Sequence, residues 1–267
     1  MRYLLLLFCS FTLAQNGISV EYLSTINKNN SEATEQENYI LYNIDNKSIY
    51  KPKIANNSDK YVNAPSLEKK WHNKKQKITA YKVSPTNTVY STDKIIYKDF
   101  SENLLYTNRI LITTRAIIDE SDVDFSWDIV NSKDSINILG YKCQKAFTNF
   151  RGRTYVAYFT PQLAINDGPY KFKGLPGLIL KIESTDGYYK LEATEVKLAS
   201  GINEIDNPFS NEKIISLEKF KEIYKETLIK RLKASKSLVK GDENDGPIEI
   251  RFDDQLEDIG MGVIRVD

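Results

Sequence analysis

A single histidine, His72, and two cysteines, Cys9 and Cys143, are all the imidazole and thiol in 267 residues. That scarcity excludes most familiar catalytic and metal-binding kits. A Ser-His-Asp triad must use His72, and no G-x-S-x-G elbow accompanies it. Zinc proteases need H-E-x-x-H, and structural zinc needs clustered Cys and His. The phosphate loop G-x-x-x-x-G-K-[ST] and the dinucleotide turn G-x-G-x-x-G are both missing. No resident metal or cofactor is therefore expected. Neither sign of charge is in excess, with 37 Lys and Arg against 36 Asp and Glu. Without a basic field to neutralise phosphates, nucleic acid is not an expected partner.

Long hydrophobic runs are also absent beyond the first residues. Met1-Arg2 is followed by an apolar stretch, Tyr3 to Leu13, with small residues Thr12 and Ala14 before Gln15. This order of charge, leucines and small residues has the form of a secretory leader over residues 1–14. The stretch is short of the ~20 residues a membrane-crossing helix needs. Cys9 follows Phe8 rather than a small residue, which argues against lipid attachment. Removing the leader also removes Arg2, leaving 36 basic and 36 acidic residues and one cysteine, Cys143. One cysteine makes no internal disulfide, so stability must come from the core. The expected mature chain, 15–267, is one domain without a transmembrane segment, in the periplasm or outside the cell.

What is present favours β structure. Aromatics make up 11% of the chain, against 12 Gly and 8 Pro, and rings fit a pleated, half-buried surface. Ile18, Val20 and Tyr22 alternate with Ser19 and Glu21, and a second alternation follows through Tyr39–Ile44, which together read as a long antiparallel hairpin. Residues 46–77 are rich in Lys, Asn and Ser and read as a mobile loop. Lys69, Lys70, Lys74, Lys75 and Lys77 lie in it without an apolar stripe, so they read as a solvated run rather than a membrane-binding patch. Strand-like runs recur at 78–83, 88–90, 94–97, 104–113 and 124–130; in the last, Phe125, Trp127 and Ile129 share a face. Tyr141–Phe147 and Thr154–Phe159 flank a hairpin turn at Asn149–Gly152, and Asp186-Gly187 is a favoured tight-turn dipeptide. One helix is legible, Ser216 to about Lys236. Leu217, Phe220, Ile223/Tyr224, Thr227/Leu228 and Leu232 form its apolar stripe, Ser216 is its N-cap, and its charges run acidic to basic as the helix dipole prefers. From about 241 the chain turns acidic. The fold class is mainly β: a curved antiparallel sheet or half-barrel with one long C-terminal helix packed on it, α+β by strict count.

Two features carry chemistry or identity. Cys143 reads as a small hydrophobe in a strand, with a reactive thiol, or a copper(I) ligand together with Met261, as the sharper alternative. Gly168-Pro169-Tyr170-Lys171-Phe172-Lys173-Gly174-Leu175-Pro176-Gly177-Leu178-Ile179-Leu180 is the most distinctive stretch. Leu175-Pro176-Gly177-Leu178 suits a type II turn, with Pro176 pre-setting φ and Gly177 supplying φ > 0. Tyr170 and Phe172 can then tuck under the sheet. A structural corner is favoured over an exposed recognition loop, because its apolar residues run straight into a core strand.

Gly174-Leu175-Pro176-Gly177-Leu178-Ile179 resembles the signature of the GLPGLI family, secreted proteins of the Bacteroidetes whose function is not established. Trp127, then Ile138–Ala146, Phe150–Arg153 and Ala157–Thr160 are similar to the family's usual order. This chain has Tyr158 where the family commonly has Trp, and Leu163-Ala164 where it commonly has Ile-Pro. The resemblance implies export and a β-rich domain; it supplies no catalytic residues. The functional expectation is an exported envelope protein, non-enzymatic, that binds a hydrophobic small molecule or an envelope protein, with Phe125, Trp127, Tyr158, Tyr170 and Phe172 as candidate lining residues. The alternatives are a thiol or copper(I)-handling protein using Cys143, and an enzyme built on two facing carboxylates, a pair that spacing alone cannot pick.

Overall fold

The computed structural model describes residues 17–27, 34–53, 66–73, 78–84, 94–111, 114–130, 135–198, 204–238, 248–251, 257, 259, 261 and 263–266. The expected leader and the run 88–90 lie outside these residues. The strands are β1 (Ile18–Asn27), β2 (Thr34–Ile44), β3 (Lys47–Pro52), β4 (Ser66–Asn73), β5 (Ile78–Ser84), β6 (Ile96–Asp99), β7 (Leu104–Leu111), β8 (Thr114–Asp119) and β9 (Asp128–Ile129). They continue with β10 (Ile136–Ile138), β11 (Tyr141–Phe150), β12 (Arg153–Thr160), β13 (Leu178–Ser184), β14 (Tyr189–Leu198) and β15 (Ile214–Ser216). Helix α1 (Leu217–Leu238) follows, then β16 (Ile248–Arg251) and β17 (Val263–Val266).

Thirteen strands form one open sheet in the order β10-β11-β12-β13-β14-β1-β2-β3-β6-β7-β8-β15, with β9 paired to β11. Every pairing along it is antiparallel except β15, which lies parallel to β8. The opening hairpin is as its alternation predicts, with Tyr22 opposite Tyr39 and Val20 opposite Leu41. From there one row of side chains crosses the sheet: Leu41 opposite Tyr50, Tyr50 opposite Ile96, Ile96 opposite Thr107, and Thr107 opposite Ile118. Directly opposed residues share a face, so this row lines one side of the sheet.

That side is concave. Six strands stand between β12 and β7 in the sheet order. In a flat sheet that is seven spacings of ~4.8 Å, or roughly 34 Å. Yet Arg151, in the β11–β12 turn, places Nη1 2.5 Å from Oε1 of Glu120, just beyond β8. The sheet must curl to bring its two ends together. Ordinary strand twist supplies part of the curvature. Register shifts at Glu21/Tyr22 and at Tyr158/Phe159 add to it, because bulges bend the bulged strand.

The segment 161–177 fills the concave side. Phe172 is fully buried there, with Tyr155 at 4.9 Å, Phe125 at 5.2 Å and Phe150 at 5.7 Å between ring centroids. The Tyr22 hydroxyl donates to Ile179 O at 2.7 Å and ties β1 to the start of β13. On the convex side, Ile44, Tyr97 and Ile117 pack under Ile205 and Phe209. Helix α1 sits at the β8–β15 end, where Phe220 packs with Ile118 and Ile259. Its first turn is capped as expected, with the Lys219 amide donating to Ser216 Oγ at 3.2 Å.

Three expectations are corrected. Residues 46–77 are not one loop: β3 pairs between β2 and β6, and β4 pairs with β5 in a second sheet of order β17-β16-β5-β4. His72 is therefore on a strand, opposite Thr79. The strand expected over 124–130 is mostly irregular and pairs only at β9. The motif turn is tighter than type II, because the Gly177 amide donates to Leu175 O at 2.8 Å while the Leu178 amide reaches Leu163 O at 3.0 Å. This is a three-residue turn about Pro176. A Cβ on Gly177 would sit 2.2 Å from Thr160 O, so the close approach of two backbones requires glycine there.

Candidate functional site

Two buried ionic clusters pin segment 161–177 to the concave face. In the first, Lys98 of β6 points inward beside Tyr50 and Ile96. Its ammonium lies 2.5 Å from Asp167 Oδ1 and 2.8 Å from Gly168 O, and both side chains are fully buried. Asn43 of β2 donates to the other oxygen of Asp167 at 3.0 Å. Burial pulls the Lys98 ammonium below the ordinary lysine range, and Asp167 pulls it back.

The second cluster is larger. Glu120, immediately after β8, continues the inward row of Ile118. Glu257 comes from the C-terminal segment. The Lys171 ammonium lies between them, 2.7 Å from Glu120 and 2.8 Å from Glu257. Arg151 Nη1 is 2.5 Å from each carboxylate, and Arg109 Nη2 of β7 is 2.5 Å from Glu257 Oε2. The Thr107 hydroxyl donates to Glu120 at 2.6 Å, and the Tyr170 hydroxyl donates to Glu257. Both carboxylates and Lys171 are at most 2% exposed. Burial alone would raise Glu120, but Lys171, Arg109 and Arg151 outweigh it and bring it down to about 2. The same three cations hold Glu257 well below the usual carboxylate range against its burial. Two carboxylates thus do face each other, but both stay ionised and sealed from solvent.

The sequence-derived candidates fall in three places. Phe125, Trp127, Tyr170 and Phe172 meet in one aromatic cluster, with centroid separations of 5.2 to 6.4 Å to Phe172. The Trp127 indole also donates to Lys173 O at 2.8 Å. Tyr158 stands apart on β12, half-buried beneath the Lys181 ammonium. Of the motif residues, Gly168, Pro169, Leu175, Gly177, Leu178 and Ile179 are buried, while Gly174 and Pro176 are exposed. Cys143 is free and 1% exposed, and burial pushes its thiol up to about 11. It belongs to the main core, whereas Met261 packs beside α1, so the structure does not bring the two sulfurs together. A cavity of about 460 Å³ opens elsewhere, among Tyr106, Asp119, Ser121 and the first residues of α1, and contains none of these candidates. Among the described residues no group of three acidic, His or Cys side chains is arranged to hold a metal ion.

Lys98, Asp167, Lys171, Glu120, Glu257, Arg109 and Arg151 had no signal in the sequence. Glu257 is 86 residues from Lys171 and 148 from Arg109. The nearest hint is Lys171 itself, set between Tyr170 and Phe172 in the distinctive stretch.

Residues 148–181 match the sequence model of a family described as a protein of unknown function, Porph_ging. The match runs from β11 through the motif into β13. No curated protein matches. Two solved structures of PNGF-II, in space groups C2 and P21, share 16% identity with this chain, at TM-scores of 0.49 and 0.50. Each alignment covers 78% of this chain, but only 32% and 33% of the PNGF-II chains. The chain thus spans about a third of the length of the structures it matches, and the likeness is one of fold. Among the described residues no helix is long and apolar enough to cross a membrane.

Proposed function

We propose that this chain is an exported envelope protein that binds a protein partner and catalyses no reaction. The observation that carries the reading is the state of the interior charges. Where Glu120 and Glu257 face each other, the space between them is filled by Lys171, Arg109 and Arg151, and both carboxylates are closed to solvent. The thiol of Cys143 is protonated at neutral pH and buried, which weakens the thiol and copper(I) alternative. The hydrophobic-ligand form of the reading has less support than the protein-partner form, because Phe125, Trp127, Tyr170 and Phe172 pack on one another.

The leader-like residues 1–14, the Gly174–Ile179 motif and the Porph_ging match support placing the chain with the exported GLPGLI-type proteins of the Bacteroidetes. Ile136 and Leu139 are large apolar side chains left 40% and 46% exposed, on the edge strand β10 and its turn. An unpaired edge with apolar side chains is a ready surface for an added strand. The test is native mass spectrometry of the tagged protein from the envelope of a Bacteroidetes host. A mature chain beginning at Gln15 and carrying a protein partner is expected, and the pair Ile136→Lys and Leu139→Lys should release that partner with the circular dichroism unchanged. Turnover of an envelope substrate, or intact leader on cytosolic protein, would overturn the proposal.

A further inference from the structure

The second ionic cluster has an asymmetry that a purely internal salt bridge does not need. Arg109 sits on β7, Arg151 in the β11–β12 turn, and Tyr170 and Lys171 in the concave segment. All are positioned by the thirteen-stranded sheet and its filling. Glu257 comes from the C-terminal segment, whose flanking strands β16 and β17 belong to the separate four-stranded sheet. Four donors from the large sheet and its filling therefore converge on this carboxylate: Arg109 Nη2 and Arg151 Nη1 at 2.5 Å from Oε2, Lys171 Nζ at 2.8 Å from Oε1, and the Tyr170 hydroxyl. Without Glu257, three cations face the single charge of Glu120, an imbalance that burial makes costly. Tyr170 also holds φ at +57°, a strained setting for a bulky residue that persists only where the surroundings over-determine it. Arg109 and Arg151 keep 25% and 14% of their side chains exposed, whereas both carboxylates and Lys171 are at most 2% exposed.

We propose that Arg109, Arg151, Lys171 and Tyr170 form a carboxylate-binding socket, which Glu257 fills as a built-in ligand and which accepts a carboxylate from outside the chain when Glu257 is gone. Planar guanidinium and carboxylate groups match in geometry, and charge-assisted hydrogen bonds are the strongest of their kind. The socket therefore selects carboxylates over halide. The inference goes beyond the partner-binding reading and stands without it.

The experiment is chemical rescue of Glu257→Gly in the full chain, followed by thermal unfolding. Sodium acetate should raise the melting temperature of the variant saturably, by roughly 5 °C when acetate far exceeds its Kd. Sodium chloride at equal ionic strength should not, and the unaltered protein should respond to neither. A peptide matching residues 250–262 distinguishes the source of the carboxylate. Rescue by this peptide at lower concentration than acetate assigns the socket to acidic peptide segments, whereas rescue by acetate alone assigns it to small carboxylates. Adding Arg109→Gln to Glu257→Gly should weaken the acetate response at least tenfold in concentration. Should Glu257→Gly fail to fold in chloride, refolding yield in acetate against chloride is the readout. Equal yields or melting points in the two salts, or the same acetate shift in the unaltered protein, would overturn the socket.

Discussion

Replacing Lys171 with methionine keeps most of its volume and removes the charge that Glu120 and Glu257 share. Arg151 still bridges both carboxylates and Arg109 still reaches Glu257, but the space between them loses its cation. Breaking a buried ion pair by deleting one partner costs about 3–5 kcal/mol, because the other charge is left without compensation. The expected result for Lys171→Met is an unfolding free energy lowered by an amount in that range, read as a lower urea midpoint with the slope unchanged. Adding Glu120→Gln removes the carboxylate that Lys171 contacts directly, so the double variant should be more stable than the sum of the single effects predicts. Strict additivity in this cycle would mean that Lys171 and Glu120 do not interact. None of this was legible one residue at a time. Lys98 between Tyr97 and Asp99, and Glu120 after Ile118, look like solvent-facing positions in an alternating strand. They are interior because the curled sheet buries both faces of β6, and curling depends on strands remote in sequence.

At the scale of elements the pattern was far more readable. Period-two alternation foretold the β1–β2 and β11–β12 hairpins, Asp186-Gly187 foretold the turn between β13 and β14, and the three-and-four spacing with Ser216 foretold α1. The misses have local causes. Strand β3 is short, ends in Pro52 and carries Lys47 and Lys51 on the face opposite Ser48 and Tyr50, so it resembles a polar loop until β2 and β6 flank it. The tight turn at Pro176 depends on Thr160, a contact that spacing cannot show. Two glycines separate these kinds of constraint. Gly187 has φ +73° and open space around it, whereas Gly177 has a backbone oxygen 2.2 Å from where its Cβ would be. Gly187→Ala should therefore cost about 1 kcal/mol, from backbone conformation alone. Gly177→Ala must displace the β12 end or the motif and should cost several kcal/mol, at the diagnostic end of single substitutions. Thermal unfolding of the two variants compares them directly, and equal losses would remove the close-approach argument.

For the whole molecule, the ionic clusters make stability a function of pH. The two ends of the sheet and the C-terminal segment meet at Glu120 and Glu257, so protonating these groups loosens several elements together. In the unfolded chain a glutamate titrates near ~4.3, whereas Glu120 is brought down to about 2 in the fold and Glu257 is also held low. A depressed folded value means that the unfolded chain takes up protons first as pH falls. The stabilisation is fully present above the unfolded value and is lost progressively as pH falls toward the folded one. For Glu120 the difference corresponds to roughly 3 kcal/mol. The urea midpoint should therefore hold steady near neutrality and decline steeply below about pH 4. Glu120→Gln should start from a lower plateau and decline with a shallower slope, because it lacks one of the linked protons. The same slope in both proteins would show that Glu120 does not titrate differently in the fold, and its protonation would then not be what loosens the curled sheet in acid.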